Sequence, residues 1–518
     1  MLPGRGVKFM RPVQAPVLLL SLFLATAAAP QTPAAPEDSA ADQAEAVIQH
    51  YYRDFYAAKY ADALADIAQL DPDESNPTGQ AVVDAMRAAA LLGLKRDADA
   101  QPLIKAIDTL SPTDPTARAA LFDGAVLTHH WDVAADSIDS LIERAPDAVR
   151  DIDWDELSYF LDNEPKGEDV RNEDRRVALA RIGYGGDTET GHWRAIQAVR
   201  ILVGRGDFQG ASELLPYVKE PEAFENMLVQ KRYSALWPRL EEIGGSHLGQ
   251  LRAEALASAE RAYLASPDDM QKLQGYVDAL RHSGRLEDAI ALRSKLPQTP
   301  DGMAKADEKT GWVVDSVAGA YQDAGRISEA DKLYGSLDDP PRTDAGWRVS
   351  MIINRLEVLV MAGKFHDASA LLPITEDSAK NDGSPYAQQL VRRLSYCVLS
   401  STGKKDEAAR QLPDLLKHAD DALEPTVEGL LCAGDADAAE RLVLKGLDNP
   451  DKAKRETFEE QFVRALQPVP LTNDDPSVWD NSWKVLRARP AIAAAYQRLG
   501  RDLPENLLPE KPSALAGR

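Results

Sequence analysis

The chain has 518 residues, too many for one ordinary hydrophobic core, and carries 27% charged but only 6% aromatic residues. Its formal net charge of −24 repels nucleic acid and anionic lipid, which speaks against both as partners. Plentiful alanine with few aromatics favours closely packed helices over sheet, and two cysteines, Cys397 and Cys432, are too few for a disulfide-stapled miniature scaffold.

The first element is a targeting signal. Arg5, Lys8 and Arg11 form a basic start, Val17 to Leu24 is an apolar run, and Ala25, Thr26 and Ala27 offer small residues for cleavage. Residues 1–27 thus read as a secretory signal peptide, too short for a comfortable membrane span. The expectation is export to the periplasm or beyond, with no membrane insertion after cleavage. An uncleaved N-terminal anchor is the alternative. Residues 28–41, rich in proline and alanine, read as a flexible linker.

From residue 42 onward a short phrase recurs. AKYADA begins at Ala58, GLKRDA at Gly93, HWDVAA at His130 and GDFQGA at Gly206. GRLEDA at Gly284, GRISEA at Gly325, GKFHDA at Gly363, GKKDEA at Gly403 and GDADAA at Gly434 follow. The last five glycines are spaced by 41, 38, 40 and 31 residues. Around Gly325, the apolar residues Val313, Val314, Val317, Ala318 and Tyr321 step by three and four before it. Ile327, Ala330, Leu333 and Tyr334 do so after it. Two amphipathic helices therefore flank a glycine that closes the first of them in the left-handed conformation. Such a hairpin cannot bury its own apolar face, and a stack of hairpins can. The array is degenerate over 42–260 and clear over 261–445. Pro216, Pro373 and Pro413 each fall five residues after the motif alanine and predict that those second helices stop or kink early. Residues 446–503 read as helices capping the array, and 504–518 as a flexible tail.

These hairpins resemble tetratricopeptide repeats. The resemblance is closest at 311–337, where Tyr321, Gly325, Ala330 and Tyr334 stand where that family places its tyrosine, glycine, alanine and second aromatic. It implies an all-α solenoid whose first helices line a concave groove that binds protein or peptide. A HEAT-like helical repeat is the alternative fold. By that analogy the groove residues lie 13, 10, 6, 3 and 2 before each motif glycine. They include Gln274, Asp278 and Arg281, then Trp312, Asp315 and Gln322, then Ile353 and Glu357, and Arg393. The places six before the glycine hold Asp278, Gly319, Glu357 and Cys397, so a basic clamp for a C-terminal carboxylate is not expected. Trp479 and Trp483, with arginines nearby, form a helix that either caps the array or docks a partner.

The same frame sets Cys397 six residues before its glycine and Cys432 two before its own. On parallel neighbouring helices this is an axial offset of about 6 Å on top of a spacing of about 8–10 Å. A disulfide needs Cα atoms roughly 4.4–6.8 Å apart, so two free thiols are expected. The run DIDWDELSYFLD at 151–162 alternates acids like a calcium loop but lacks the glycine and final glutamate, and reads as an acidic helix start. No HExxH, Cys/His cluster, phosphate loop or GxSxG occurs, so neither metal nor cofactor is expected.

The reading is a non-catalytic scaffold or adaptor of the cell envelope, with a protein or peptide of unknown identity in its groove. One alternative is an envelope glycan-processing enzyme with a helical superhelix and a site in 137–260, where Glu156, Glu164 and Glu213 lie. Another is a component of exopolysaccharide or pilus assembly.

Overall fold

The computed structural model describes residues 40–70, 76–111, 114–186, 189–337, 346–467 and 478–508. The expected signal peptide and nearly all of the linker lie outside them. The chain forms two compact units, 1–217 and 218–518. Among the described residues every regular element is helical, and the one β-bridge joins Gln230 to Gly500.

In the first unit α1 (Ala40–Tyr56) and α2 (Tyr60–Ile67) form a hairpin, as do α3 (Pro77–Gly93) and α4 (Asp97–Leu110) and then α5 (Thr116–Leu127) and α6 (Trp131–Arg144). A single turn, α7 (Pro146–Val149), leads into α8 (Trp154–Asp162) and α9 (Asp169–Arg181). The hairpin α10 (Glu189–Gly204) and α11 (Phe208–Leu214) closes the unit. Helix α3 is buried nearly all round, from Ala81 to Leu92, because α2, α4 and α5 all pack on it. Small residues make this possible: a Cβ on Gly124 would sit 2.3 Å from that of Ala89. The stack carries on through 137–217. Phe160 of α8 meets Phe122 of α5 with ring centroids 5.5 Å apart, and Arg171 and Arg175 of α9 hold Asp139 of α6 at 2.7 and 2.6 Å.

The second unit opens with α12 (Pro221–Val229), a 3-10 segment Lys231–Leu236, α13 (Trp237–Gly244) and α14 (Gly249–Ala265). Helices α15 (Met270–His282) and α16 (Leu286–Ala291) turn at Gly284, and the short α17 (Pro300–Ala304) follows. Three longer hairpins come next: α18 (Glu308–Asp323) with α19 (Ile327–Gly335), α20 (Gly346–Met361) with α21 (Phe365–Asp382), and α22 (Pro385–Ser401) with α23 (Lys405–Lys417). The last are α24 (Leu423–Cys432) and α25 (Ala436–Leu447), α26 (Lys452–Ala465), α27 (Val478–Arg487) and α28 (Pro490–Leu499). First helices pack on first helices in sequence, α15 on α18, α18 on α20, α20 on α22 and α22 on α24. This is the all-α, tetratricopeptide-like hairpin array that the spacing predicts.

The turns show why the phrase recurs. Gly206, Gly284, Gly325, Gly363, Gly403 and Gly434 all have φ between 68° and 81°. In each the next residue's N–H returns to a carbonyl five back, as in Arg326 to Tyr321 at 2.8 Å and Lys364 to Leu359 at 2.8 Å. This closes the first helix and reverses the chain. The three early turns have the same geometry without glycine, at Ala58, Lys95 and His129. Lys95 and His129 correct the frame expected at Gly93 and His130. Exposed turns of this shape tolerate a non-glycine residue at a modest cost.

Three expectations change. Pro216 does end its helix, at Leu214, but α21 runs through Pro373 and α23 through Pro413. Both prolines face solvent, so water can serve the carbonyl each deprives of its partner, while Leu372, Thr375 and Leu415 stay buried and hold the helices. The two cysteines are bonded, with Cα atoms 5.4 Å apart. Helix α24 is short and slides by about one turn against α22: Gly429 lies beside Arg393 and Cys432 beside Cys397, an offset of 35 where the turn glycines differ by 31. That slide cancels the axial separation on which free thiols were expected. Residues 504–508 are docked, with Leu507 fully buried, and residues 509–518 of the expected tail lie outside the described residues.

The second unit also closes on itself. Arg501 donates from its backbone to Val229 at 2.8 Å and from its side chain to the Leu228 carbonyl at 2.8 Å and to Glu241 at 2.7 Å. Its guanidinium lies 3.6 Å above the Trp237 ring. Arg464 pairs with Glu222 at 2.7 Å. Hence the unit's first and last elements meet.

Candidate inner-face interaction site

The first helices of the second unit carry a chain of polar side chains that links one layer to the next. On α15, Asp278 faces Arg281 at 3.5 Å, and burial raises its carboxyl above the ordinary range although Ser316 hydrogen-bonds to it. Arg281 reaches Asp323 of α18 at 3.1 Å. It does so across Gly319, where a Cβ would lie 2.4 Å from the guanidinium carbon. Glycine at this place is what lets the arginine cross. Asp315 of α18 accepts from the Tyr334 hydroxyl at 2.6 Å and from Asn354 of α20 at 2.8 Å. Gln322 lies 3.3 Å from the Met361 sulfur.

The chain continues through charge. Glu357 of α20 pairs with Arg393 of α22 at 2.8 Å, and Arg393 also pairs with Glu428 of α24. The Arg393 side chain is only 3% exposed, so both carboxylates are needed to keep a buried guanidinium charged. Burial pushes Glu428 above the usual carboxylate range, and pushes Glu424, one turn back, up to about 7, with the Glu428 charge adding to it. The indole N–H of Trp483 reaches Glu428 at 3.4 Å.

The frame thus brings Asp278, Arg281, Asp315, Gln322, Glu357 and Arg393 into one line. Gln274 is half-buried beside it. Trp312 donates within its own helix to Glu308 at 3.3 Å. Ile353 and Trp483 are buried, at 2% and 5% exposure, so neither is a free anchor. The side chain of Trp479 lies outside the described residues. Glu424, Glu428 and Asn354 belong to the line and were missed. The signal for the glutamates was present, since they stand ten and six residues before Gly434, the places that define the groove in the other copies.

The first unit holds a different arrangement. Asp123 of α5 and Glu156 of α8 lie close enough for their carboxyls to interact. Burial raises Asp123 to about 6, with the Asp153 charge adding to it and Glu156 opposing it, and burial raises Glu156 well above its ordinary value, with the Asp123 charge adding to it. Asp153, the residue of the acidic run that could have suggested a calcium loop, instead caps α8 by accepting from Asp155 and Glu156 N–H at 2.9 and 3.3 Å. Glu164 pairs with Arg175 at 2.7 Å and with Arg176. Glu213 accepts from Gln209 at 3.2 Å on the surface. Among the described residues no group of three or more His, Cys, Asp or Glu is placed to hold a metal ion. None of the described helices is long and apolar enough to cross a membrane.

No known family's sequence pattern matches the chain, and no curated protein matches it. Three solved structures of low similarity are an APC/C hetero-tetramer of Cut9 and Hcn1, the TPR domain of P58(IPK), and Naa15/Naa10 bound to HypK-THB. The first is 11% identical with a TM-score of 0.28, covering 88% of this chain and 96% of that one. The second is 14% identical with a TM-score of 0.17, covering 80% and 97%. The third is 12% identical with a TM-score of 0.22, covering 88% and 74%. At such scores the likenesses carry no argument, and the hairpin fold rests on its own geometry.

Proposed function

We propose that this chain is a non-catalytic interaction scaffold of the cell envelope that binds a protein or peptide against the first helices of its arrays. The observation that carries this reading is the inner-face line of the second unit. Asp278, Asp315, Asp323, Glu357, Glu424 and Glu428 set six carboxyls against the guanidiniums of Arg281, Arg393 and, near Glu424, Arg464. A structural seam would balance its charges, whereas an acidic excess on half-buried, water-accessible side chains suits a partner that brings cations. The acidic composition of the whole chain has the same sense. The placement in the envelope rests on residues 1–27 alone. Two of the three glutamates named in 137–260 support a non-catalytic role, since Glu164 is neutralised by two arginines and Glu213 lies on the surface; Glu156, the third, keeps a raised carboxyl.

The test is cross-linking of the mature chain in envelope extract at low and moderate salt, with peptides mapped by mass spectrometry. The expected result is a stoichiometric protein cross-linked to α15, α18 and α20, weakened by salt and by Asp315→Ala. Cross-links confined to second helices, or no retained protein at either salt, would overturn the proposal.

A further inference from the structure

Helix α27 departs from the repeat that builds the layers of the array. No copy of the turn motif leads into it, and α26 and residues 468–477 separate it from the last motif hairpin. Yet it touches α24 and also α20, first helices that stand two hairpins apart with α22 between them. It also packs on α25, so it closes the end of the array there while reaching back across the first helices to α20. Ile353 of α20, a groove position by the tetratricopeptide analogy, is buried in the large apolar core that also takes in Trp483 and Leu486. One polar contact of α27 with the inner face is that of the Trp483 indole N–H with Glu428. Arg487 and Arg489 bond elsewhere, to the Leu466 carbonyl and Asp502 and to Asp437 and Glu440. On its far side Lys484 is exposed and Val485 is 58% exposed.

We propose that α27 is an internal ligand, and that the partner enters the second unit by presenting an amphipathic helix of like chemistry in its place. The proposal rests on the scaffold reading above and specifies its ligand. The incoming helix carries an aromatic ring with an N–H or O–H for Glu428 and an aliphatic side chain one turn on, where Leu486 sits. A basic side chain beside them would meet Glu424. This is a helix laid into a groove, and a ten-residue helix of this kind is marginal without its groove. Because α27 is tethered, it competes at an effective concentration on the order of millimolar. Any external helix is weakened by that competition until α27 is loosened.

The probe is a fluorescent peptide of residues 478–489 titrated into the full mature chain. Wild type should bind it at least tenfold more weakly than Trp483→Ala, and adding Glu428→Gln to that variant should weaken binding again. Equal affinity for wild type and Trp483→Ala, or no binding to a Trp483→Ala chain of unchanged helix content, would overturn the proposal. Hydrogen exchange on the wild-type chain supplies a second readout that needs no variant. Amides of α27 should exchange at least a hundredfold faster than those of α22 and α24, and a single common rate would mark α27 as a permanent layer and refute exchange. A natural partner captured equally by wild type and Trp483→Ala would leave the scaffold reading standing and defeat displacement. Absence of any captured partner would instead defeat the scaffold reading.

Discussion

Arg393→Met isolates the charge chain at the centre of the inner face. The substitution keeps side-chain volume and removes the cation, which leaves Glu357 and Glu428 facing each other with side chains 27% and 15% exposed. Breaking a buried pair by removing one partner costs about 3–5 kcal/mol, and the partial exposure of both glutamates puts this site near about 3 kcal/mol. The sign of the pH dependence follows. Without Arg393, burial and the Glu357 charge hold the folded Glu428 carboxyl above its unfolded range of about 4.3. The folded state then binds more protons than the unfolded one, so stability falls as pH rises through that window. The deficit of the variant should be larger at pH 8 than at pH 5, by about 1.4 kcal/mol for each unit of displacement. The assay is hydrogen exchange of α20, α22 and α24 peptides at both pH values, with intrinsic rates removed. Adding Glu357→Gln and Glu428→Gln should restore most of the protection, since the triple variant leaves neither of the carboxylates that Arg393 held. A deficit under about 1 kcal/mol at pH 8, or one that does not change with pH, would refute the claim that Arg393 is held by desolvated carboxylates.

Three further perturbations probe other joints. Arg501→Ala removes a stacked guanidinium and two hydrogen bonds, about 2–4 kcal/mol in all, and should selectively expose α12 and residues 504–508 to exchange; unchanged protection there would show that closure does not depend on it. In the first unit, the raised values of Asp123, about 6, and Glu156 mean that the folded state holds protons the unfolded chain has released. Stability of that unit should therefore fall between pH 4 and pH 7, by about 2 kcal/mol, and Glu156→Gln should flatten the slope of its urea midpoint against pH. Reducing Cys397–Cys432 opens a loop with a sequence separation of 35 residues, worth about 4 kcal/mol in the chain-entropy account; a melt of the second unit unmoved by reductant would contradict it.

What could be read from the sequence was what repeats. A turn that needs a left-handed residue writes a glycine at a fixed place, and six of the nine motif turns among the described residues carry it. The helices on either side and the positions that face inward follow from it. The three turns without glycine show the limit. Lys95 and His129 adopt the same conformation at some strain, and nothing in their side chains announces it, so the frame slipped onto Gly93 and His130. Prolines misled for a related reason. Their effect on a helix depends on whether the freed carbonyl meets water or core, and at Pro373 and Pro413 it meets water.

Contacts between layers were legible only where the layers keep one register. Arg281 with Asp323 and Asp315 with Asn354 join adjacent first helices at offsets of 42 and 39 residues, close to the repeat itself. The slide of α24 breaks that rule: it sets Cys432 against Cys397 and Glu428 against Arg393 at an offset of 35, so one local shift misled the disulfide expectation and supplied an acid for the buried arginine. The seat of α27 and the return of Arg501 to α12 have no period at all. They join segments far apart in sequence through a tryptophan, an arginine and a few carbonyls, and a pattern that occurs once leaves no rhythm to detect. The consequence for function is physical. The repeating part of the chain builds the stack of first helices, and on the proposal made above the part that does not repeat governs what lies against it.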